Sequence, residues 1–358
     1  MSRPKKMVFQ IALLLALMGV TFYLLLRDRN ITMIWASVLA AKKGYILLAV
    51  ASMLLYIFCG GWCIRVLLHG LGQSMSIWRC FKYSFVEFYF SALTPSSTGG
   101  QPMQLVYMKQ DGYSISDSSV IVLAVTALYK IAFLMLALIF FLINWQMMAE
   151  KIFAMRFLFA LGLVLNVALI IGLCFLLFSK RLVFFLSTGV LRLLGKLHLV
   201  KDTERHVFSL ARKSIQYRRC AGFMKEHPFV VLRTFFVLAL QRLSLLIVPY
   251  LVYRSFGMRQ YGVTQLLAIQ LLLAMCVEML PLPGAVGISE KAFLILFGPV
   301  FGDRLLTSAV LLSRGISFYL MVLLSGIIIS GVQLSAMFRR KKGQTGPDNF
   351  TNSGGMPK

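Results

Sequence analysis

The chain has 358 residues, of which 59% are hydrophobic and 14% are charged, and its mean hydropathy is +0.81. Soluble globular proteins carry about 45–50% apolar and about 25% charged residues, so this composition excludes a soluble enzyme. The 37 basic and 12 acidic residues give a formal net charge of +25. Because the basic residues lie mostly between apolar stretches, membrane orientation and contact with anionic lipid explain this excess better than nucleic acid does.

Apolar stretches long enough to cross a bilayer, about 20 residues each, recur along the chain. The first follows three basic residues, as a signal peptide would, but no small-residue cleavage site follows it, so we interpret it as a retained helix. The pattern predicts an all-α polytopic membrane protein with spanning helices near 8–26, 44–68, 118–148, 157–179, 229–253 and 305–337.

Two further apolar regions, 83–108 and 262–298, are interrupted by residues that disfavour a helix. The first contains TPSSTGGQP (94–102) and the second contains PLPGAVG (281–287). Proline removes a backbone donor, and glycine lowers helix propensity. Irregular backbone at membrane depth is tolerated only where it is buried in protein or lines a cavity. We therefore predict two re-entrant hairpins.

The distribution of Lys and Arg predicts how the chain is oriented. Eleven of these residues fall in 180–228, and further clusters lie at the N-terminus and at 339–342. The positive-inside rule places all three clusters in the cytoplasm. That placement requires the two hairpins to enter the membrane from opposite faces, as the broken helices of inverted-repeat transporters do.

The same features divide the chain into a membrane domain, 1–338, and a tail, 339–358. We expect this tail to be disordered and cytoplasmic, because it is rich in Gly, Asn, Pro and Ser from residue 343 onward. Within the domain, 180–228 fits an interfacial helix on the anionic inner leaflet, and it fits a solvated linker equally well.

Ionisable side chains inside the apolar segments are the strongest functional signal, because a charge at membrane depth costs at least ~2.5 kcal/mol. Three cations lie too deep in their helices to reach water easily. They fit a polar cavity that receives a phosphate-bearing headgroup, or a structural network that neutralises three acids. We favour the cavity, and we expect Arg242 to hold phosphate bidentately with little effect on folding when it is neutralised. The deep residues are Lys130, Arg242, Arg314, Glu87, Glu278 and Glu290.

The candidate site combines these side chains with polar and glycine neighbours in the two breaks. Glycine lets backbone N–H groups approach an anion closely, although a hinge or a tight helix contact explains the same residues. The substrate-binding candidates are Glu87, Gly99, Gly100, Gln101, Gln104, Lys130, Arg242, Glu278, Pro283, Gly284, Gly287, Glu290, Lys291 and Arg314.

The sequence carries no pattern typical of catalysis. We find no nucleophile–base constellation and no nucleotide loop, so transport would be passive or ion-coupled. Cys59 and Cys63 are one helical turn apart, but no His or second Cys pair completes a zinc site. We therefore predict no catalytic residue, no metal and no cofactor.

The two breaks also share a weak sequence similarity. Val86-Glu87 precedes Pro95-x3-Gly99, and Val277-Glu278 precedes Pro283-x3-Gly287. The spacing from Glu to Pro is eight residues in the first break and five in the second, so this similarity is weak evidence of duplication.

The motifs resemble those of a known family. LTPSSTGGQPMQLVYMKQDGYS (93–114) resembles the first signature of the flippase-like membrane family, and LPLPGAVGISEKAFLILFG (280–298) resembles the second. That family includes the membrane half of the bacterial lysylphosphatidylglycerol synthases, the multiple peptide resistance factors. The resemblance covers about 8–338, and Ala285 departs from it, because many members have a second glycine there.

The resemblance implies movement of phospholipid, above all lysylphosphatidylglycerol, between the leaflets of a bacterial cytoplasmic membrane, with both termini cytoplasmic. Less negative charge on the outer surface would confer resistance to antimicrobial peptides. In the synthases a soluble domain attaches lysine from tRNA. Because only 20 residues follow Phe338 here, we expect no lysyl transfer by this chain. A phosphatidylglycerol lysyltransferase and a transporter of a soluble organic anion stay open as alternatives.

The expected partners follow from these readings. They are membrane phospholipids, including anionic lipid of the inner leaflet at 180–228. Association into a homo-oligomer and association with a separate synthase subunit both stay open. Nucleic acid is expected only as lysyl-tRNA, under the transferase alternative.

Overall fold

The computed structural model describes residues 31–178 and 226–344, together with the isolated positions 19, 23, 26, 27 and 222. Most of the predicted first span, 8–26, lies outside the described residues, as does nearly all of the basic segment 180–228. The last part of the predicted tail, 345–358, lies outside them as well.

The regular structure of the described residues is helical, which confirms the all-α prediction. Five helical stretches are long and apolar enough to cross a membrane: Lys43–Gly70, Ile115–Ile143, Arg156–Phe175, Pro228–Ser255 and Ile288–Leu334. The helices in chain order are α1 (Ile31–Ala40), α2 (Lys43–Gly70), α3 (Ile77–Leu93), α4 (Gly100–Gln110), α5 (Ile115–Ile143), α6 (Trp145–Ala154), α7 (Arg156–Phe178), α8 (Pro228–Leu246), α9 (Val248–Ser255), α10 (Val263–Val277), α11 (Ile288–Arg314), a π-helical turn (Gly315–Leu320) and α12 (Met321–Gln344).

Three predicted boundaries were wrong, each for a local reason. The span 118–148 ends at Ile143, because the Asn144 side chain donates to the carbonyl of Phe140 (2.9 Å) and a separate helix follows. The span 305–337 continues backward into α11, whose one non-helical residue is Gly302 (φ 64°). Residues 339–344 are helical rather than disordered, because Arg and Lys are good helix formers.

Each predicted break is a turn between two helices. Residues 94–99 separate α3 from α4, and residues 278–287 separate α10 from α11. The base of the first hairpin lies at the N-terminal end of α5, where Gln73 donates to Asp117 (2.7 Å). The base of the second lies at the opposite end of α5, where Asn144 donates to the carbonyl of Thr264 (3.3 Å). The 29 residues of α5 span about 43 Å, so the hairpins enter the bundle from opposite ends.

The tips of the two hairpins meet inside the bundle. Pro95 and Pro283 form an antiparallel bridge, and the Ser96 hydroxyl lies 3.3 Å from the carbonyl oxygens of Met279 and Leu280. The sequence could not show this contact, because the partners are more than 180 residues apart.

The two turns also share one backbone conformation. The two residues after the proline have positive φ in both, at Ser96 (51°) and Ser97 (55°) and at Gly284 (58°) and Ala285 (51°). In both turns the third residue after the proline donates to the proline carbonyl at 3.2 Å. The weak sequence similarity between the two breaks is therefore accompanied by a similar backbone conformation at the tips.

Each hairpin packs into its own hydrophobic core. One core surrounds α3 and α4 and includes Tyr83, Met108 and Leu68. The other surrounds α10 and α11 and includes Phe293, Phe297 and Leu272. The long helices α2 and α5 contribute to both cores, so they fix the position of one hairpin relative to the other.

Candidate functional site

A cavity of about 560 Å³ lies where the two tips meet. Its walls come from both turns, from helices α2 to α5 and α7 to α10, from both ends of α11 and from the π-helical turn. Most of the wall is apolar, and five acidic or basic side chains interrupt it. These are Glu87, Lys130, Arg242, Glu278 and Arg314, all of which the sequence had marked.

Glu278 joins two of the deep cations. The Arg242 guanidinium holds its carboxylate with two contacts, Nη2–Oε2 at 2.9 Å and Nη1–Oε1 at 3.3 Å. The Lys130 ammonium lies 3.2 Å from Oε1 of the same carboxylate. The cluster therefore has two cations and one anion, and we refer to Arg242, Lys130 and Glu278 as the charge cluster.

The side chain of Glu278 faces the cavity more than its two partners do. It is 24% exposed, whereas the side chains of Arg242 and Lys130 are 3% and 8% exposed. The guanidinium of Arg242 was expected to bind a phosphate with two contacts. In this conformation both contacts go instead to the carboxylate of Glu278, from the second hairpin. The two cations of the cluster outnumber its one carboxylate.

Neighbouring side chains hold the charge cluster in place. Arg242 donates to the Tyr129 hydroxyl (2.7 Å), and its guanidinium carbon lies 4.1 Å from the ring centroid of Phe133. Lys130 donates to Asn166 Oδ1 (3.4 Å), and Asn166 in turn donates to the Gly162 carbonyl (2.8 Å). An ammonium has three donors, so Glu278 and Asn166 leave Lys130 one for a ligand.

The third cation, Arg314, is the last residue of α11, and it connects that end of the helix to the turn of the second hairpin. Its Nε donates to Glu290 Oε1 (2.8 Å) and its Nη2 donates to the Gly284 carbonyl (3.0 Å). Glu290 also accepts from the Gly287 amide (2.7 Å) and the Tyr319 hydroxyl (3.2 Å). Glu290 is buried and fully partnered, so this pair supports the structure while Arg314 contributes to the cavity wall.

Glu87 differs from the other two acids. It lies on α3 in the cavity wall, and its carboxylate forms no hydrogen bond or ion pair with any residue in 31–178 or 226–344. The alternative interpretation, in which three acids neutralise three cations, therefore does not hold pair by pair. Two cations share Glu278, one cation pairs with Glu290, and Glu87 faces the cavity without a counter-charge from the part of the chain that the structure describes.

Several predicted site residues do not line the cavity. Gln104 is buried between the arms of the first hairpin, where its amide is 3.5 Å from the Tyr83 carbonyl. Lys291 is exposed on α11, because it is rotated about 100° around that helix from the buried Glu290. Glu290 itself lies behind Arg314 rather than in the wall. The remaining polar candidate, Gln101, does line the cavity.

The predicted glycines serve close packing. A Cβ on Gly100 would lie 2.1 Å from Ser91 Oγ and 2.6 Å from the Glu87 carbonyl, so only glycine lets the hairpin arms approach this closely. The Gly99 amide donates to Thr94 Oγ1 (2.8 Å), as the Gly287 amide does to Glu290. Gly99, Gly100, Pro283 and Gly287 shape the tips without lining the cavity, and Gly284 lines it.

Sequence reasoning missed several polar residues of the wall. Tyr56, Tyr129, Gln241 and Gln270 line the cavity, and the Gln270 side-chain oxygen is buried without a hydrogen-bond partner in the described structure. A signal was available for Gln241 and Gln270, because an amide side chain within an apolar helix is as unusual as a charge there.

Comparison with known proteins agrees with this architecture. The family model described as the lysylphosphatidylglycerol synthase TM region matches residues 7–325, which include both hairpins and every wall residue named above. A UPF0104 membrane protein of Archaeoglobus fulgidus is 22% identical over 303 residues, which cover 83% of this chain and 90% of that protein.

Proposed function

We propose, from the premise that this chain belongs to the lysylphosphatidylglycerol synthase TM region family, that it moves phospholipid between the two leaflets of a membrane. In the finer form of the proposal, the lipid is an aminoacylated phosphatidylglycerol such as lysylphosphatidylglycerol, and the membrane is the bacterial cytoplasmic membrane. We infer that both termini are cytoplasmic, as the positive-inside rule requires.

The observation that carries the proposal is the composition of the cavity. Its charged groups lie at the meeting point of two hairpins that enter from opposite ends of the bundle, and the rest of its wall is mainly apolar. A lipid has the same division between a charged headgroup and apolar chains. Pockets recognise small ligands through this combination of apolar walls and a few convergent polar groups.

One wall also suits access from the side. Leu169 and Leu173 of α7 line the cavity, and α7 is the least buried of the five candidate spans, with 17% of its apolar window buried. A single peripheral helix therefore separates the cavity from the lipid-facing surface. A carrier for a soluble anion would instead need a cavity enclosed on all sides by well-packed helices.

The test is lipid movement in reconstituted liposomes. Lipids labelled on the acyl chain are scored by the fraction that a membrane-impermeant quencher reaches, with protein-free liposomes as the baseline. Ala274, in the wall, is changed to Trp to fill the cavity, and the control is Ala160→Trp on the exposed face of α7. We expect wild type and the control to move lipid and Ala274→Trp to move it at least about tenfold more slowly.

Three results would contradict the proposal. Lipid movement no faster than in protein-free liposomes would remove it outright. Lysyl transfer from charged tRNA to phosphatidylglycerol by the purified chain would favour the transferase alternative. Uptake of soluble organic anions without lipid movement would favour the soluble-solute alternative.

A further inference from the structure

We propose that Glu87 binds the cationic amine of a lipid headgroup while the charge cluster faces the phosphate of the same headgroup. This inference rests on the proposed function and specifies its substrate class. It assigns the cavity to phospholipids that carry both groups, an amine and a phosphate, in preference to phospholipids with a phosphate alone.

The carboxylate of Glu87 is held at the cavity wall by the backbone around it. Gly100 packs against Glu87, since a Cβ there would lie 3.1 Å from Glu87 Cγ and 2.6 Å from its carbonyl oxygen. The other arm of the hairpin thus closes that side of the side chain. Glu87 lines the cavity, as does Tyr56. Glu87 is therefore directed into the cavity.

A counter-charge stabilises the ionised form of a carboxylate in this position. An ionised group removed from bulk water is strongly destabilised unless it is paired. The two other acids of the region are paired, Glu278 with Arg242 and Lys130, and Glu290 with Arg314. Among the described residues Glu87 has no such partner. A cation that enters the cavity supplies one.

The positive charge of the site lies on a different part of the wall. The charge cluster carries two cations and one carboxylate, which leaves one positive charge uncompensated. Arg314 and Glu290 neutralise each other. The described wall therefore has one unmatched positive charge and one unmatched negative charge, which complements a headgroup with one phosphate and at least one amine. Phosphatidylglycerol has the phosphate alone and leaves Glu87 unpaired.

The test compares lipids that differ in the amine, using Glu87→Gln. Acyl-chain-labelled lysylphosphatidylglycerol, phosphatidylethanolamine and phosphatidylglycerol are each reconstituted with the protein. Because the glutamine loses the charge-assisted contact with the amine, we expect Glu87→Gln to slow both amine lipids about tenfold or more. We expect phosphatidylglycerol to move at an unchanged rate. The matched control is Glu150→Gln on the exposed side of α6, which should leave all three rates unchanged.

A second measurement separates this inference from the proposed function. Binding of short-chain phosphatidylethanolamine and phosphatidylglycerol to detergent-solubilised protein is compared by thermal stabilisation. Wild type should favour the amine lipid, Glu87→Gln should lose that preference, and Glu87→Asp should keep it. If this preference is found but no lipid moves in liposomes, the proposal of lipid transport is refuted and the proposal of an amine site at Glu87 is supported.

Two outcomes would overturn the amine site. In the first, Glu87→Gln slows the movement of all three lipids equally, and the wild type binds the amine lipid no better than phosphatidylglycerol. Glu87 would then have a general role in the fold or in transport. The second is a dependence of phosphatidylglycerol movement on Na⁺ or pH that Glu87→Gln abolishes. In that case the cation at Glu87 would be a free ion rather than a lipid amine.

Discussion

Replacement of Arg242 by glutamine should destabilise the fold more than replacement of Lys130, although both cations contact the same carboxylate. Arg242 provides two contacts to Glu278 and one to the Tyr129 hydroxyl. Removing one member of a buried ion pair costs about 3–5 kcal/mol. Since Glu278 is partly exposed to the cavity and retains Lys130, we expect a loss near the lower limit, about 3 kcal/mol.

The expected cost at Lys130 is smaller for a geometric reason. After Lys130→Gln, Glu278 keeps both contacts to the Arg242 guanidinium, and the glutamine amide can still donate to Asn166. The loss is then one charged contact between partly solvated groups, about 1 kcal/mol. The control is Arg233→Gln, an exposed arginine on the same helix as Arg242, which should leave stability nearly unchanged.

The assay is thermal unfolding of the purified variants in detergent, together with lipid movement in liposomes. We expect the melting temperatures to fall in the order Arg233→Gln, Lys130→Gln, Arg242→Gln. If Arg242→Gln has the melting temperature of the wild type, its ion pair adds nothing to stability. The guanidinium would then serve headgroup binding alone. A larger loss for Lys130→Gln than for Arg242→Gln would refute the argument from contact geometry.

Three further predictions concern topology and the second tip. A cysteine introduced near Lys109 should be labelled only from the cytoplasm and one near Asp303 only from outside; labelling of both from one face would contradict the opposed orientation. Gly284→Ala should lower stability by about 2–4 kcal/mol, because its Cβ would lie 2.2 Å from the Phe318 ring at a positive φ; an unchanged melt would show that the ring yields. Ala285→Gly should raise stability by about 0.5–1 kcal/mol in the same melt, because glycine relieves a φ of 51°; a lower melting temperature would contradict a strained turn.

The helical architecture was predictable because lipid imposes one requirement on the whole chain. Backbone groups in a bilayer must be paired within the segment, so length and hydropathy alone identify the long helices. The breaks were equally visible, since Pro95 and Pro283 with nearby glycines disfavour a helix in otherwise apolar stretches. Charge in the loops then predicted that the hairpins oppose each other, and they do enter from opposite ends of α5.

The pairing within the site was not predictable, because depth along a helix does not determine which residue is opposite. Lys130 and Arg242 were both expected to be deep, but the sequence contains no information on helix rotation about its own axis. That rotation directs both toward Glu278 and directs Lys291 outward. Glu87 was expected in the cavity wall, with a balanced set of charges as the alternative, and only the three-dimensional arrangement shows that it lacks a partner in the described residues.

The shared backbone of the tips has a consequence for how the two hairpins can diverge. Positive φ at two successive positions disfavours β-branched and bulky residues in both tips. At the second tip the Phe318 ring also excludes any side chain at Gly284. Ser96 is under no such steric limit. If the hairpins arose by duplication, the second tip would retain its glycine while the first accumulated substitutions, and sequence similarity would be lost long before the backbone changed.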